Sequence, residues 1–249
     1  MRVSLFVPCL VDRFLPQIGV ASVRMLGDAG FEVDLDPRQT CCGQPAFNAG
    51  FGLEARSLAR RMLDLYSGDQ VVVCPSGSCV AMVRDQYGLL GLSEKEQQRW
   101  MNLRGRFFEL VEFLDAHGAL DALSCTYEGR CVIHSTCHHL RFIRAQTALD
   151  RFLARVQGLD PVFPEQASMC CGFGGVFSMK LPELSVAMGR ERLDSMLAHH
   201  PDAIVLSDAG CILHLQGILD ASGHDPRVPV LHYSELYLGA AGTTTGATP

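Results

Sequence analysis

The chain carries one cysteine pattern twice, and that repetition restricts its possible folds more than any other feature. A Cys-Cys-Gly triplet at Cys41, Cys42 and Gly43 lies between Cys9 and Cys79, and a second at Cys170, Cys171 and Gly172 lies between Cys137 and Cys211. The second set follows the first by 128, 129, 129 and 132 residues, so eight of the eleven cysteines belong to one duplicated plan. Any fold that accepts it must supply two similar units. In the first, four sulfurs separated by gaps of 31 and 36 residues must reach one place.

A chain of 249 residues buries a core without disulfide rivets. An odd number of cysteines leaves one over in any fully paired scheme, which points to a reducing compartment and to ligand or redox duty. Residues 3–7 are apolar except for Ser4, but Asp12 and Arg13 interrupt the run early and no small-residue cleavage site follows. That is a first β-strand rather than a signal peptide. No stretch approaches the ~18 apolar residues of a membrane span. A net charge of -6 argues against a nucleic-acid binder working through a basic surface. A soluble cytoplasmic protein is expected.

Each half alternates short apolar strands with amphipathic helices, which predicts an α/β fold of two pseudo-repeated Rossmann-like lobes with mostly parallel sheets, one Cys-Cys-Gly motif per lobe. In the first half, strands are expected over 3–7, 31–35 and 70–73, with helices over 15–29 and 53–66 and a third starting at 80–86. In the second, strands are expected over 131–134, 161–163 and 203–206, and helices over 140–156, 184–199 and 212–221. Residues 93–118 have no counterpart and are expected to form two helices packed between the halves. The domain plan is a first lobe over 1–92, a helical connector over 93–124, a second lobe over 125–239 and a disordered tail over 240–249.

On this plan Cys9, Cys79, Cys137 and Cys211 each come just after a strand, and both triplets occupy the loops after the second strands. Ligands of open α/β sheets bind at the carboxyl ends of strands, so each half brings four sulfurs to one rim. The gaps are unlike the paired knuckles of structural zinc. Adjacent cysteines in extended chain point to opposite sides, which suits a cluster with several irons better than one tetrahedral ion. The glycine after each pair, with Gly174 and Gly175, lets backbone N–H groups approach cluster sulfurs. All eight, Cys9, Cys41, Cys42, Cys79, Cys137, Cys170, Cys171 and Cys211, are the expected cofactor and metal ligands. The expected cofactor is one or two iron–sulfur clusters, 4Fe-4S in type, with zinc in one lobe left open.

Cys74, Cys125 and Cys131 fall outside the repeat and read as packing residues. His134, His138 and His139 surround Cys137, and His134 is a candidate hydrogen-bond partner of a metal centre, although Arg2 or Phe6 stands where it would align in the first half. His232 reads as the start of a terminal helix. Asp12 and Arg13 read as solvated charges, and Asp208 as a candidate oxygen ligand.

These motifs resemble the cysteine-rich CCG-domain family, whose members include the cysteine-rich component of heterodisulfide reductases and a component of lactate-utilisation systems. Residues 9–12 (Cys-Leu-Val-Asp), 41–50 (Cys-Cys-Gly-Gln-Pro-Ala-Phe-Asn-Ala-Gly), 76–79 (Ser-Gly-Ser-Cys), 134–137 (His-Ser-Thr-Cys) and 170–177 (Cys-Cys-Gly-Phe-Gly-Gly-Val-Phe) are more similar to the lactate-utilisation branch, in order and over nearly the whole chain. The resemblance implies an iron–sulfur electron-transfer subunit of an NAD-independent complex that oxidises L-lactate to pyruvate. It further implies a ferredoxin-like iron–sulfur partner and a third small subunit. One departure stands out: where the heterodisulfide reductase branch ends its motif in C-x-x-C, this chain has Ser76 and Asp208 at the first of the two positions. A cubane, a non-cubane cluster with an oxygen ligand, and zinc in one lobe therefore stay open.

Two competing functions follow from the same cysteines. One is thiol–disulfide redox chemistry like that of heterodisulfide reductases; the other is a zinc-binding assembly subunit without a redox role. No Gly-rich dinucleotide fingerprint follows the first strand, so an independent nicotinamide or flavin enzyme is not expected. No catalytic base for a 2-hydroxy acid identifies itself.

Overall fold

The computed structural model describes residues 1–166, 168–223 and 228–239. Its first half builds a parallel sheet from β1 (Arg2–Leu5), β2 (Glu32–Asp34), β3 (Val71–Cys74) and β4 (Phe107–Glu109), in the order β2-β1-β3-β4. The second repeats that order with β5 (Thr126–Ile133), β6 (Gln157–Val162), β7 (Ala203–Leu206) and β8 (Val230–His232), arranged β6-β5-β7-β8. Every strand pair is parallel. The helices are α1 (Cys9–Phe14), α2 (Pro16–Asp28), α3 (Gln44–Asn48), α4 (Gly52–Leu65), α5 (Gly77–Arg84), α6 (Glu94–Arg104), α7 (Leu110–Ala116), α8 (Gln146–Leu153), α9 (Val176–Lys180), α10 (Pro182–Leu197) and α11 (Ala209–Ser222). The two-lobed α/β architecture expected from the sequence is present.

Strand alternation sorts the apolar residues into three cores. Val3 and Leu5 of β1, Val73 of β3, Cys131 and Ile133 of β5, and Ala203 and Val205 of β7 all face one shared core between the lobes. The neighbouring residues point the other way: Val72 and Cys74 into the first lobe's outer core, and Val132, Ile204 and Leu206 into the second's. Both faces of each sheet are thus covered, which parallel sheets require.

The lobes meet reciprocally. Helix α2 packs on the terminal 3-10 turn Tyr233–Leu238, which follows β8, and α7, which follows β4, packs on α8. Likewise α5 meets the π-helical turn His138–Phe142 of the other lobe, and α11 meets α1. When element X touches Y′ and Y touches X′, the two units are related by an approximate twofold axis. Ser76 and Asp208, the N-cap residues of the equivalent helices α5 and α11, lie at that axis, with Ser76 Oγ donating to Asp208 Oδ2 at 3.3 Å.

The region 93–118 departs from expectation. Instead of two connecting helices it gives α6, the strand β4 and α7, and β4 completes the first sheet just as β8 completes the second. The strand holds only two apolar residues, Phe107 and Phe108, and it ends at Glu109, which caps α7 by accepting from Val111 N at 2.8 Å. Other boundaries differ for local reasons. The helix expected over 15–29 is two helices, broken at Leu15 because the residue before Pro16 is biased away from helical geometry. The helix expected over 140–156 is a π-helical turn followed by α8, with Arg144 at φ 56° between them. The weak strand expected over 161–163 is the longer β6. The short helices α3 and α9 add to the expected elements. The tail expected to be disordered lies outside the described residues.

Asp208 also accepts from Ser78 N at 3.0 Å and from Gly210 N at 3.2 Å, so one buried carboxylate closes the N-termini of helices from both lobes. Replacing Asp208 with Ala leaves those buried donors unpaired. The unfolding free energy of Asp208→Ala should therefore fall by about 1–3 kcal/mol in urea titration. Asp194→Ala, exposed on α10, serves as the control with a smaller loss.

Candidate metal centre

In a sheet ordered β2-β1-β3-β4 the chain leaves β1 and β3 toward opposite sides, and a crevice opens between their carboxyl ends. Cys9 begins α1 directly after β1, and Cys79 is the third residue of α5 after β3. Cys137 follows β5 and precedes the π-helical turn, while Cys211 is the third residue of α11 after β7. The loops after β2 and β6 carry the two Cys-Cys-Gly triplets to the same crevices.

The triplets fold alike. Gly43 has φ 92° and its N–H donates to Cys41 Sγ at 3.4 Å; Gly172 has φ 88° and its N–H donates to Cys170 Sγ at 3.4 Å. Such positive φ values favour glycine. At Gly172 the lack of a side chain matters twice, because a Cβ there would stand 2.5 Å from the carbonyl oxygen of Ser185 in α10. At Gly43 the corresponding approach to Ala55 is 3.4 Å. Phe173 N donates to Cys171 Sγ at 3.5 Å, and Tyr87 OH anchors the first loop by donating to the Cys42 carbonyl at 2.8 Å.

Each crevice gathers its four thiols. In the first, Cys9 Sγ is 3.7 Å from Cys41 Sγ, Cys42 bonds both Cys41 and Cys79, and Cys9 is also close enough to feel Cys79. In the second, Cys171 Sγ is 2.9 Å from Cys211 Sγ, Cys170 bonds both Cys137 and Cys171, and Cys137 feels Cys211. Crowding splits their acidities. Hydrogen bonds from Cys42 and Cys9 hold Cys41 down at about 3, and those from Cys137 and Cys171 hold Cys170 at about 2. Cys79 is lowered to about 5 by hydrogen bonds from Cys42, Cys74 and Ser76. Their donors are pushed up: Cys9 by its bond to Cys41, Cys137 by its bond to Cys170, and Cys42 and Cys171 by bonds to both neighbours, with burial adding to each. For Cys211 the bond from Cys171 favours the thiolate, but burial and the Asp208 carboxylate raise it overall.

A site with thiolates, thiols ready to lose protons, and backbone N–H groups aimed at sulfur has the donor chemistry of a thiophilic metal or iron–sulfur centre. Both crevices fit that class of ligand.

The other cysteines are packing residues. Cys125 and Cys131 lie in the shared core, and burial raises them to about 11 and about 12, which leaves them unreactive. Cys74 lies in the first lobe's outer core but leans on Cys79, a contact the repeat could not reveal because its counterpart is Leu206. Asp12 and Arg13 are exposed. Ser76 and Asp208, considered as oxygen ligands, cap their helices and meet across the axis. His138 Nδ1 lies 3.6 Å from Cys137 Sγ, and its Nε2 lies 3.3 Å from Gln44 Nε2 of the opposite lobe. His139 is buried, with Nε2 3.4 Å from Glu109 Oε2. Burial opposes ionisation of Glu109, but His139, a 2.7 Å hydrogen bond from Tyr233 and nearby His232 hold its carboxyl below the usual value. His232 caps the terminal turn, which is 3-10 rather than α-helical.

His134 is buried, and burial together with Arg192 lowers it to about 3. Arg192, itself buried in α10, donates from Nε to His134 Nδ1 at 3.0 Å. The sequence does not single out Arg192; its signal is its place on the inward face of α10 with Ser185, Gly189 and Met196.

The cysteine-rich domain model, CCG, matches residues 3–84 and 131–216. Two proteins called lactate utilization protein A are similar to this chain. The one from Macrococcus caseolyticus (strain JCSC5402) is 35% identical over 95% of this chain and 96% of its own. The one from Bacillus subtilis (strain 168) is 33% identical over 95% of this chain and 98% of its own. Among solved structures, a hypothetical protein from Helicobacter pylori superposes with a TM-score of 0.66 at 10% identity, covering 95% of this chain. This chain spans 48% of that protein, and the likeness is one of fold.

The two glycines should differ on substitution. Gly43→Ala should cost about 1–2 kcal/mol from the left-handed backbone alone, and Gly172→Ala distinctly more because it also collides with Ser185; urea unfolding of both variants measures the order. A second expectation concerns acid. Burial lowers His232 to about 4, so in the folded chain it stays neutral through a range where the unfolded chain takes up a proton near pH 6.5. Its contribution is complete above pH 6.5 and is lost as the pH falls toward 4. Unfolding of the metal-free chain followed across that window should show the decline. His232→Asn, which keeps an acceptor near Nδ1 without titrating there, should flatten it.

Proposed function

The chain belongs to the cysteine-rich CCG-domain family, with the domain present twice, and from that premise we propose that it is an iron–sulfur electron-transfer subunit in the NAD-independent oxidation of L-lactate to pyruvate. What supports the reading most is the pair of matching four-sulfur crevices, each with one cysteine in the first turn of a helix whose N-terminus meets its counterpart at the approximate twofold axis. Oxidation of a 2-hydroxy acid releases two electrons and two protons, and two one-electron centres match that count. An iron–sulfur centre supplies one-electron storage when bound.

The chain's own residues do the rest. Cys9, Cys41, Cys42 and Cys79 would hold a 4Fe-4S centre in the first lobe, and Cys137, Cys170, Cys171 and Cys211 one in the second. Gly43, Gly172 and Phe173 direct backbone N–H groups at the sulfurs. The sheets and the shared core hold the two sets in fixed relation. No side chain in either crevice is assigned the removal of the lactate C–H, which falls to a partner. Exposed Phe51, Leu53, Met179, Leu181 and Leu184 follow the two triplet loops and offer apolar surface to such partners, a ferredoxin-like iron–sulfur subunit and a third small subunit. The proposed complex is cytoplasmic. Among the described residues no helix is long and apolar enough to cross a membrane.

A second reading has one observation in its favour. The 2.9 Å approach of Cys171 and Cys211 beside Cys170, whose acidity is raised by hydrogen bonds from Cys137 and Cys171, suits thiol–disulfide chemistry.

Iron, acid-labile sulfide and zinc measured on anaerobically purified protein, with electron paramagnetic resonance after reduction, test the proposal. About four iron and four sulfide per lobe are expected, with lactate-dependent reduction in the assembled complex. Cys41→Ser and Cys171→Ser should lose the signal of their own lobe and the activity, while Cys125→Ser keeps both. Zinc without sulfide would make this an assembly subunit and overturn the proposal.

A further inference from the structure

The two crevices are alike in their cysteines but not beneath them. Phe6 N and His134 N donate to the equivalent carbonyls of Val73 and Val205, at 2.8 and 2.9 Å, so Phe6 occupies in the first lobe the place of His134 in the second. Gly43 faces Ala55 and Leu58, and Gly172 faces Ser185 and Met188, an offset of 130 residues that sets Met62 opposite Arg192. An apolar pair in one lobe is therefore replaced by an imidazole and a guanidinium in the other, all four residues being buried. Burying those two polar groups is costly unless they have work to do.

Their partners are incomplete. Arg192 donates from Nε to His134 Nδ1 at 3.0 Å and from Nη1 to the Gln166 carbonyl at 2.9 Å, while its Nη2 and His134 Nε2 have no hydrogen-bond partner among the described residues. A ring nitrogen of His134 and the sulfurs of Cys171 and Cys211 lie within 4.8 Å of one another, which by composition alone resembles a three-residue metal site. The Arg192 hydrogen bond decides against ligation. Nδ1 accepts, so the ring proton resides on Nε2, and a protonated nitrogen cannot bind a metal. Metal-binding histidines show the reverse, donating their second nitrogen to a carbonyl or carboxylate. Among the described residues His134 is left with an N–H and no acceptor other than the sulfurs beside it.

We propose that His134, held in its Nε2–H tautomer by Arg192, donates a hydrogen bond to the sulfurs of the second lobe's centre and makes that centre the easier of the two to reduce. The inference rests on the electron-transfer reading above. Adding one electron to a thiolate-bound centre breaks no bond and places negative charge on its sulfurs. A buried N–H and a guanidinium close behind it stabilise that charge, whereas Phe6 and Met62 do not. The nearest candidate in the first lobe, the Cys74 thiol, is a weak donor and turns its proton to the Ser76 carbonyl at 3.8 Å. An electron entering either lobe comes to rest in the second, and His134 and Arg192 are positioning residues for it.

The test is a redox titration of the anaerobic, iron-loaded full chain, followed by electron paramagnetic resonance, alongside His134→Phe and Arg192→Met, which import the first lobe's residues. Wild type should show two midpoint potentials. Either substitution should move the higher one down and leave the lower one in place, with iron and sulfide content unchanged. His134→Gln, which keeps an N–H, should recover part of the shift. Unchanged midpoints in a fully loaded His134→Phe protein would overturn the proposal, as would an equal shift of both. Selective loss of iron from one lobe would make His134 a ligand and overturn it too. Should the substitutions prevent folding, wild type labelled with nitrogen-15 histidine answers the same question: a weak nitrogen coupling to the reduced centre supports the hydrogen bond, and a strong one or none overturns it. A wild-type chain with zinc and no sulfide fails at the electron-transfer reading, before any variant is compared, and takes the proposal with it.

Discussion

A single buried carboxylate sets the geometry on which both crevices depend. Helices α5 and α11 begin close to one another across the axis, and the positive ends of their dipoles would repel if left bare. Asp208 stands between them, accepting from Ser76, Ser78 and Gly210 at once. Cys79 and Cys211 lie in the first turns that this carboxylate closes. The position of a sulfur in each lobe is therefore tied to the same residue, and the distance between the crevices is a property of that hydrogen-bonded junction as much as of the sheets.

Around the junction, duplication preserved what the crevices need and released the remainder. The left-handed glycine, the N–H to sulfur contact and the strand order occur in both halves with nearly the same numbers. The residues behind the sulfurs diverged: Phe6 and Met62 in one lobe, His134 and Arg192 in the other, and Cys74 against Leu206. The ends of the sheets diverged as well. Glu109 and His232, at equivalent positions on β4 and β8, both cap the segment that follows, one by a carboxylate and the other by an imidazole.

The cysteine repeat and the alternation of strands and helices made the two-lobed fold legible, because both depend on local periodicity and on positions that chemistry restricts. The convergence of each thiol set followed from placing cysteines after strands in a parallel sheet. What stayed hidden depends on contacts between distant residues. Strand β4 is three residues long and merges into the apolar run of α7, so no period of two could emerge. Asp208 looked like a spare oxygen ligand because its partners, Ser76 and Ser78, are more than a hundred residues away. Nothing in the sequence singles out Arg192, and only the fold sets it beside His134.

The pairing of Ser76 with Asp208 says something about why the lobes share one chain. At the centre of a symmetric dimer a residue meets its own copy, so the two helix caps would have to be identical. Two serines would supply no charge to the facing helix ends, and two aspartates would press one carboxylate against another in a buried space. A hydroxyl opposite a carboxylate satisfies both helices, and it is open only to a molecule whose halves are free to differ. Covalent fusion supplies that freedom, which a symmetric dimer of identical halves would lack.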